Sequence, residues 1–238
     1  MKTLCLLLAC IAMSTNTGGQ SIRMKDSSDW WSMNGEHYPV LTVKPVEEHF
    51  ATQNFKILGL SLDTVDFETI ASKLGKAPVL ERGDASTGRS QVCYTSYAGS
   101  DKIHLVFEFG EGQSSTFYLF RGGADWNGSN QCVKSGKVTA DLSTETGLRL
   151  GLSRAQVEAI LGKPDFVKGD RIAYCREFYR KATKEEFEKS RQEYPGSFSD
   201  EAAHQQFDRI LVTMQLEARF TNLQMSYLHV STDSLNDN

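Results

Sequence analysis

Two stretches of this chain read alike at an offset of 87 residues: VDFETIASKLGKAP from Val65 and LSRAQVEAILGKPD from Leu152. The offset superposes Leu74-Gly75-Lys76 on Leu161-Gly162-Lys163, Asp66 on Ser153, and Ile70 on Val157. Each stretch spells a short amphipathic helix with its own start and stop. Asp66 and Ser153 are N-cap residues, whose side-chain oxygens accept the unpaired amides of the first turn. Ser153 with Gln156 makes a capping box, and Val65/Ile70 and Leu152/Val157 fit the apolar staple across the helix start. Gly75 and Gly162 stop the helices, because glycine enters the left-handed C′ conformation cheaply. Pro78 and Pro164 then block any continuation. An internal repeat constrains a fold more than composition does, since each copy must bury the same apolar stripe.

Strands follow each helix. In the first copy they are 91–97, 102–109 and 115–120, with Ile103, Leu105, Phe107 and Phe109 on one face and a hairpin at Gly110-Glu111-Gly112. In the second copy they are 171–179, 209–220 and 223–230. Ile210, Val212, Met214, Leu216, Ala218 and Phe220 alternate with Arg209, Thr213, Gln215, Glu217 and Arg219, which predicts an antiparallel sheet with one wet face. Between two of these strands lies an insertion, 180–208, reading as a helical hairpin. Thr183 and Glu186 cap its first helix, Pro195-Gly196 breaks it, and Ser199 caps the second. The expected fold class is therefore α+β: two related lobes, each a short helical segment followed by an antiparallel sheet of three to four strands that can join into one. The expected division is a signal peptide at 1–19, a polar leader with a short strand (within 37–43) at 20–54, repeats at 55–142 and 143–231, and a frayed tail at 232–238.

The N-terminus has the three parts of a secretory signal: Lys2, an apolar run of ten residues from Leu4 to Met13, and small polar residues with cuts possible after Ser14 or Gly19. Leu7-Leu8-Ala9-Cys10 also reads as a lipobox, which would anchor the chain through Cys10. Export permits disulfides. Beyond the signal there are Cys93, Cys132 and Cys175; Cys93 and Cys132 flank one strand-rich region and are the expected pair. Cys175 is left as a buried residue or a thiol for intermolecular pairing. No CxxC, HExxH, P-loop or GxSxG occurs, and no metal site or cofactor is expected. With a net charge of −4 and no long basic run, nucleic acid is not an expected partner.

A capped helix ending in LGKP, followed by an antiparallel sheet, twice over, resembles two known groups: the small lipoprotein subunit of the outer-membrane β-barrel assembly machinery and the tandem-repeat β-lactamase inhibitory protein. Gly151-Leu152-Ser153, Val157 and Leu161-Gly162-Lys163-Pro164 carry the resemblance, and the first copy matches at the cap and at Leu74-Gly75-Lys76. The resemblance implies a protein that binds proteins or envelope components through its sheet face and loops, without catalysis. The helical insertion and the long loop at 121–131 depart from that pattern.

Candidate contact residues follow. The loop RGGADWNGSNQC offers Trp126 as an anchor with Asp125 beside it, and Asn127-Gly128-Ser129 is a glycosylation sequon. Tyr97, Tyr118 and Tyr179 are candidates for the outer sheet surface. His104 and Glu108 share a strand face, where solvated residues are expected rather than an acid–base pair. The expected function is an exported, periplasmic or secreted, non-enzymatic protein-binding module. The alternatives are a secreted hydrolase without a known motif, acting through His104 or Cys175, and a structural lipoprotein held by Cys10.

Overall fold

The computed structural model describes residues 56–82, 88–97, 102–110, 114–122, 131–193 and 209–236, with Asn54 and the short strand pieces Leu4–Cys5, Leu41–Thr42 and Lys44–Pro45. Most of the expected signal peptide and leader, and residues 123–130, lie outside these residues. The architecture is mixed: helices and a large, mainly antiparallel sheet, with the helices Phe67–Leu74 and Arg154–Leu161 packed on one of its faces. None of the described helices is long and apolar enough to cross a membrane.

Both helices of the repeat form where their caps place them. Helix α1 is Phe67–Leu74 and α2 is Arg154–Leu161. Asp66 accepts from the Thr69 amide at 2.7 Å. Ser153 and Gln156 close a reciprocal capping box at 3.3 and 2.8 Å. Gly75 and Gly162 end the helices at φ +97° and +81°, where a β-carbon would be strained, and their amides donate to Ala71 and Glu158 carbonyls.

The strands are β1 (Lys56–Ile57), β2 (Leu60–Ser61), β3 (Leu80–Arg82), β4 (Arg89–Thr95), β5 (Lys102–Gly110), β6 (Ser115–Gly122), β7 (Val133–Lys134), β8 (Phe166–Lys168), β9 (Arg171–Lys181), β10 (Arg209–Thr221) and β11 (Gln224–Asn236). Strands β1 and β2 make a separate hairpin. The large sheet runs β7-β4-β5-β6-β11-β10-β9-β8, with β3 also on β4 and Lys44–Pro45 also on β9. Outward from the β6–β11 seam the order is β6, β5, β4, β3 on one side and β11, β10, β9, β8 on the other. The seam is antiparallel, from Ser115 opposite Thr232 to Phe120 opposite Tyr227.

Helices and sheet share one core. Ile70 and Leu74 of α1, and Val157 and Leu161 of α2, pack with Leu105, Phe107, Phe117, Leu119, Val212, Leu216, Leu228 and Val230. Val65 and Leu152 are buried in the same cluster, as the apolar staple requires. Two tyrosines of the sheet reach the helix ends. Tyr94 on β4 donates its hydroxyl to the Gly75 carbonyl at 2.8 Å, and Tyr174 on β9 donates to the Gly162 carbonyl at 3.0 Å. Each thus satisfies a carbonyl that a helix terminus leaves unpaired. Tyr94→Phe and Tyr174→Phe should each lower stability by about 1–2 kcal/mol. Five strand spacings separate β4 from β9, roughly 24 Å, so the double variant should lose the sum. Urea unfolding measures all three.

The described structure changes three expectations. The segment at 232–238 is not a frayed tail through most of its length: β11 continues to Asn236, paired opposite Ile210. The long β10 offers a backbone ladder for all of β11, and unpaired strand amides favour extension along it. Strand β9 runs to Lys181, so the insertion begins later than residue 180. Its first helix, α3 (Lys184–Glu193), has the expected capping box, with Thr183 and Glu186 bonded reciprocally at 2.8 and 3.2 Å. The second helix of the insertion, from Ser199, lies outside the described residues. Finally, the sheet face away from the helices is not wet.

Candidate functional site

Strand pairing lays two rows of side chains across the face opposite the helices. One row is Cys93, Val106, Tyr118, His229, Glu217 and Ala173; the next is Thr95, His104, Phe120, Tyr227, Arg219 and Arg171. Cys93, Val106, Tyr118, Phe120 and Tyr227 form a second apolar cluster with Cys132 against it. His104, Glu108 and Glu217 are buried as well. Sequence alternation correctly separates polar from apolar positions on β10, but Glu217 is buried and ion-paired, and Thr213, Gln215 and Arg219 are only partly exposed.

The pairing is electrostatic. Glu217 accepts from Arg171 Nε at 3.1 Å and is also paired to Arg219, whose guanidinium lies 4.6 Å from the centre of the Tyr227 ring. Burial pushes the Glu217 carboxyl up, but Arg219 and Arg171 outweigh it and hold the group at about 2. His229 stacks on Tyr118 at 4.9 Å with the rings 9° apart. Burial pushes His229 down, and the nearby Glu217 charge recovers only part of the shift, leaving it at about 4. Tyr118 is raised well above its ordinary value by burial and then by the Glu108 charge. Glu108 Oε1 in turn accepts from Arg89 Nη1 at 2.9 Å. Carboxylates, arginines, a histidine and a tyrosine thus form a fixed network spanning strands that are far apart in sequence.

The predicted contact residues are placed very differently from one another. Tyr97, just past the end of β4, is 67% exposed. Tyr118, expected at the surface, is buried beneath His229 and beside Glu108. Tyr179 stands in β9 opposite Leu211, and its side chain lies outside the described set. Asp125 and Trp126 also lie outside it. The loop that carries them leaves β6 at Gly122 and returns through Cys132 into β7, which pairs in parallel with Tyr94 and Thr95. Cys93 and Cys132 are joined in a disulfide, so the returning end of the loop is fastened to the sheet.

Leu223 is expected as the first residue of the strand at 223–230, but that strand begins at Gln224. It is 87% exposed and sits with Asn222 in the two-residue turn between β10 and β11. Both residues have positive φ, +50° and +65°, as a primed hairpin turn demands. Asn-Gly is the usual pair for such a turn; Asn222 was the available signal, and the leucine in the glycine position hid it. Register places Leu223 near the Gly122 end of β6, because Tyr227 opposes Phe120. Lys102 opposes Gly122, and Thr95 opposes His104, so Tyr97 belongs to the same end of the sheet.

The two residues considered for hydrolysis do not suit it. His104 is stacked on Phe120 at 5.2 Å, and burial, followed by the Lys102 charge, pushes it down to about 3. An imidazole that weakly basic takes a proton poorly near neutrality. Cys175 is fully buried and its sulfur is in a disulfide, while Arg176 pairs with Asp165 rather than activating a thiol. Cys93, His104 and Cys132 bring their ligand atoms within 4.8 Å of one another, although they are distant in sequence, but both sulfurs are taken up by the bridge. No family model, curated protein or solved structure matches the chain.

Proposed function

We propose that this chain is an exported, non-enzymatic protein-binding module of the cell envelope or extracellular space, built from two related α+β halves at 55–142 and 143–231. The strand order, reading alike outward from the β6–β11 seam, carries the two-halves reading. The matched helix caps and the matched Tyr94–Gly75 and Tyr174–Gly162 bonds support it. The partner is a protein, and it docks at the sheet end that presents Tyr97 and Leu223. These are the most exposed large apolar residues among those described. Three strand spacings, roughly 14 Å, separate their strands. Gly122, where the chain enters the segment bearing Asp125 and Trp126, ends β6 between those strands, and the Cys93–Cys132 disulfide fastens the other end of that segment, which lowers the entropy lost on binding.

Leu223 supplies the specific argument. A leucine at φ +65° in a turn that glycine would fill costs on the order of 1 kcal/mol. Nothing among the described residues repays that, since the side chain is 87% exposed. A binding role does repay it. Leu223→Gly should therefore leave stability unchanged or raise it by about 1 kcal/mol while weakening partner capture at least ~10-fold. The test is a pull-down with the tagged, processed protein from envelope and medium fractions, run beside Leu223→Gly. One stoichiometric protein that the variant fails to retain is the expected result. Equal capture by both proteins, or no captured protein at all, contradicts the proposal.

A further inference from the structure

We infer that Cys93, Cys132 and His104 form a binding site for a thiophilic divalent ion, Zn2+ in the first instance, when the Cys93–Cys132 bridge is reduced. The ligand atoms already lie within 4.8 Å of one another. Backbone pairing, rather than the bridge alone, brings them together. In the β4–β5 ladder Cys93 opposes Val106 and Thr95 opposes His104, so Cys93 and His104 are diagonal neighbours on one face. Val133 opposite Tyr94 sets Cys132 beside Cys93. Opening the bridge therefore leaves two sulfurs and an imidazole converging at one point. Cys93 and His104 are each 1% exposed, and Phe120 stacks on the imidazole, so the site is enclosed and its ring orientation fixed. Two thiolates and one neutral imidazole are a recurrent zinc set that leaves a fourth position for a further ligand. Two thiolate charges also neutralise the divalent ion, which removes the main cost of burying it.

A phosphine reductant gives two electrons to the S–S bond and becomes the phosphine oxide, taking its oxygen from one water. The two hydrogens of that water end on the Cys93 and Cys132 sulfurs. Metal binding then releases both as protons, so uptake strengthens as pH rises.

The test uses the full chain, reduced anaerobically, and Co2+ as the spectroscopic probe for Zn2+. Thiolate-to-cobalt charge transfer and tetrahedral d–d bands should appear at one Co2+ per chain, only after reduction, and Zn2+ should displace the cobalt. His104→Ala should weaken uptake at least ~10-fold. A Cys93→Ser/Cys132→Ser variant keeps the other cysteines and reports any uptake they support; it should give no bands. If reduction unfolds the chain, added Zn2+ should restore its native near-ultraviolet circular dichroism, because metal binding then drives folding. Uptake without reduction, uptake indifferent to His104, equal uptake by the double serine variant, absence of bands in a folded reduced chain, or failure of Zn2+ to refold an unfolded one would each overturn the inference.

Discussion

Between pH 6.5 and pH 4 the folded chain should lose about 6 kcal/mol of stability, because His104 and His229 are both held neutral in the fold. Their pKa values fall from the ordinary 6.5 to about 3 and about 4. Below pH 6.5 the unfolded chain takes up protons on both imidazoles and the folded chain does not, so acid favours unfolding. Each unit of difference is worth 1.36 kcal/mol, which gives roughly 3 kcal/mol per histidine at pH 4. Stability is full above pH 6.5 and falls toward pH 4; below that His229 contributes no further loss. Glu217 has the opposite kind of shift with the same acid consequence. Its carboxyl is at about 2 against an ordinary 4.5, so its contribution is present above 4.5 and lost between 4.5 and 2. A loss of this size rivals the whole stability of an ordinary domain. Urea unfolding at closely spaced pH values should show a slope of roughly 2.5 kcal/mol per pH unit near pH 5, where both imidazoles are protonated in the unfolded chain and neutral in the folded one. His229→Phe keeps a ring stacked on Tyr118 but does not titrate, and should halve that slope. An unchanged slope would remove His229 from the account.

Glu217→Ala should destabilise the chain by about 3 kcal/mol at pH 7, the lower end of what breaking a buried ion pair costs. The substitution removes the carboxylate that both Arg171 and Arg219 pair with. The lower end applies because the two arginine side chains keep 19% and 16% exposure and can turn partly toward water. Glu217→Gln keeps one acceptor oxygen for Arg171 and Arg219 and should lose less. Replacing all three members by apolar residues of similar volume should be close to neutral, since a buried ion pair roughly balances its own desolvation. That contrast separates a stranded charge from a mere packing defect. Equal losses from the alanine variant and the triple apolar variant would point to packing instead.

Much of this chain is legible from sequence because its signals are local. Asp66, Ser153 and Thr183 cap helices with amides three residues away, and Gly75 and Gly162 end them with a conformation no neighbour need supply. Alternation in β5 and β10 correctly sorts core from outer positions. What stays hidden is set by pairing between distant strands. Nothing local distinguishes Tyr118 from Tyr97. The first is buried because register puts His229 over it, and the second is exposed because it lies two residues past the end of β4, beyond the buried Ser96. Glu217 looks like a solvated position until β9 brings Arg171, 46 residues away, against it. Alternation assigns faces, but it cannot say that the second face is also covered. The β10–β11 turn is hidden for a different reason: Leu223 occupies a conformation that the usual turn residue, glycine, would announce.

The most direct test of the central claim is site-specific photo-crosslinking in the producing cell. A photo-reactive amino acid is placed at position 97 or 223, and at Lys73 on the exposed side of α1 as a control. The account expects one and the same protein to be trapped from positions 97 and 223 and not from position 73. Trapping from position 73 alone, or no trapping from either end residue, would contradict a protein-binding site at this end of the sheet.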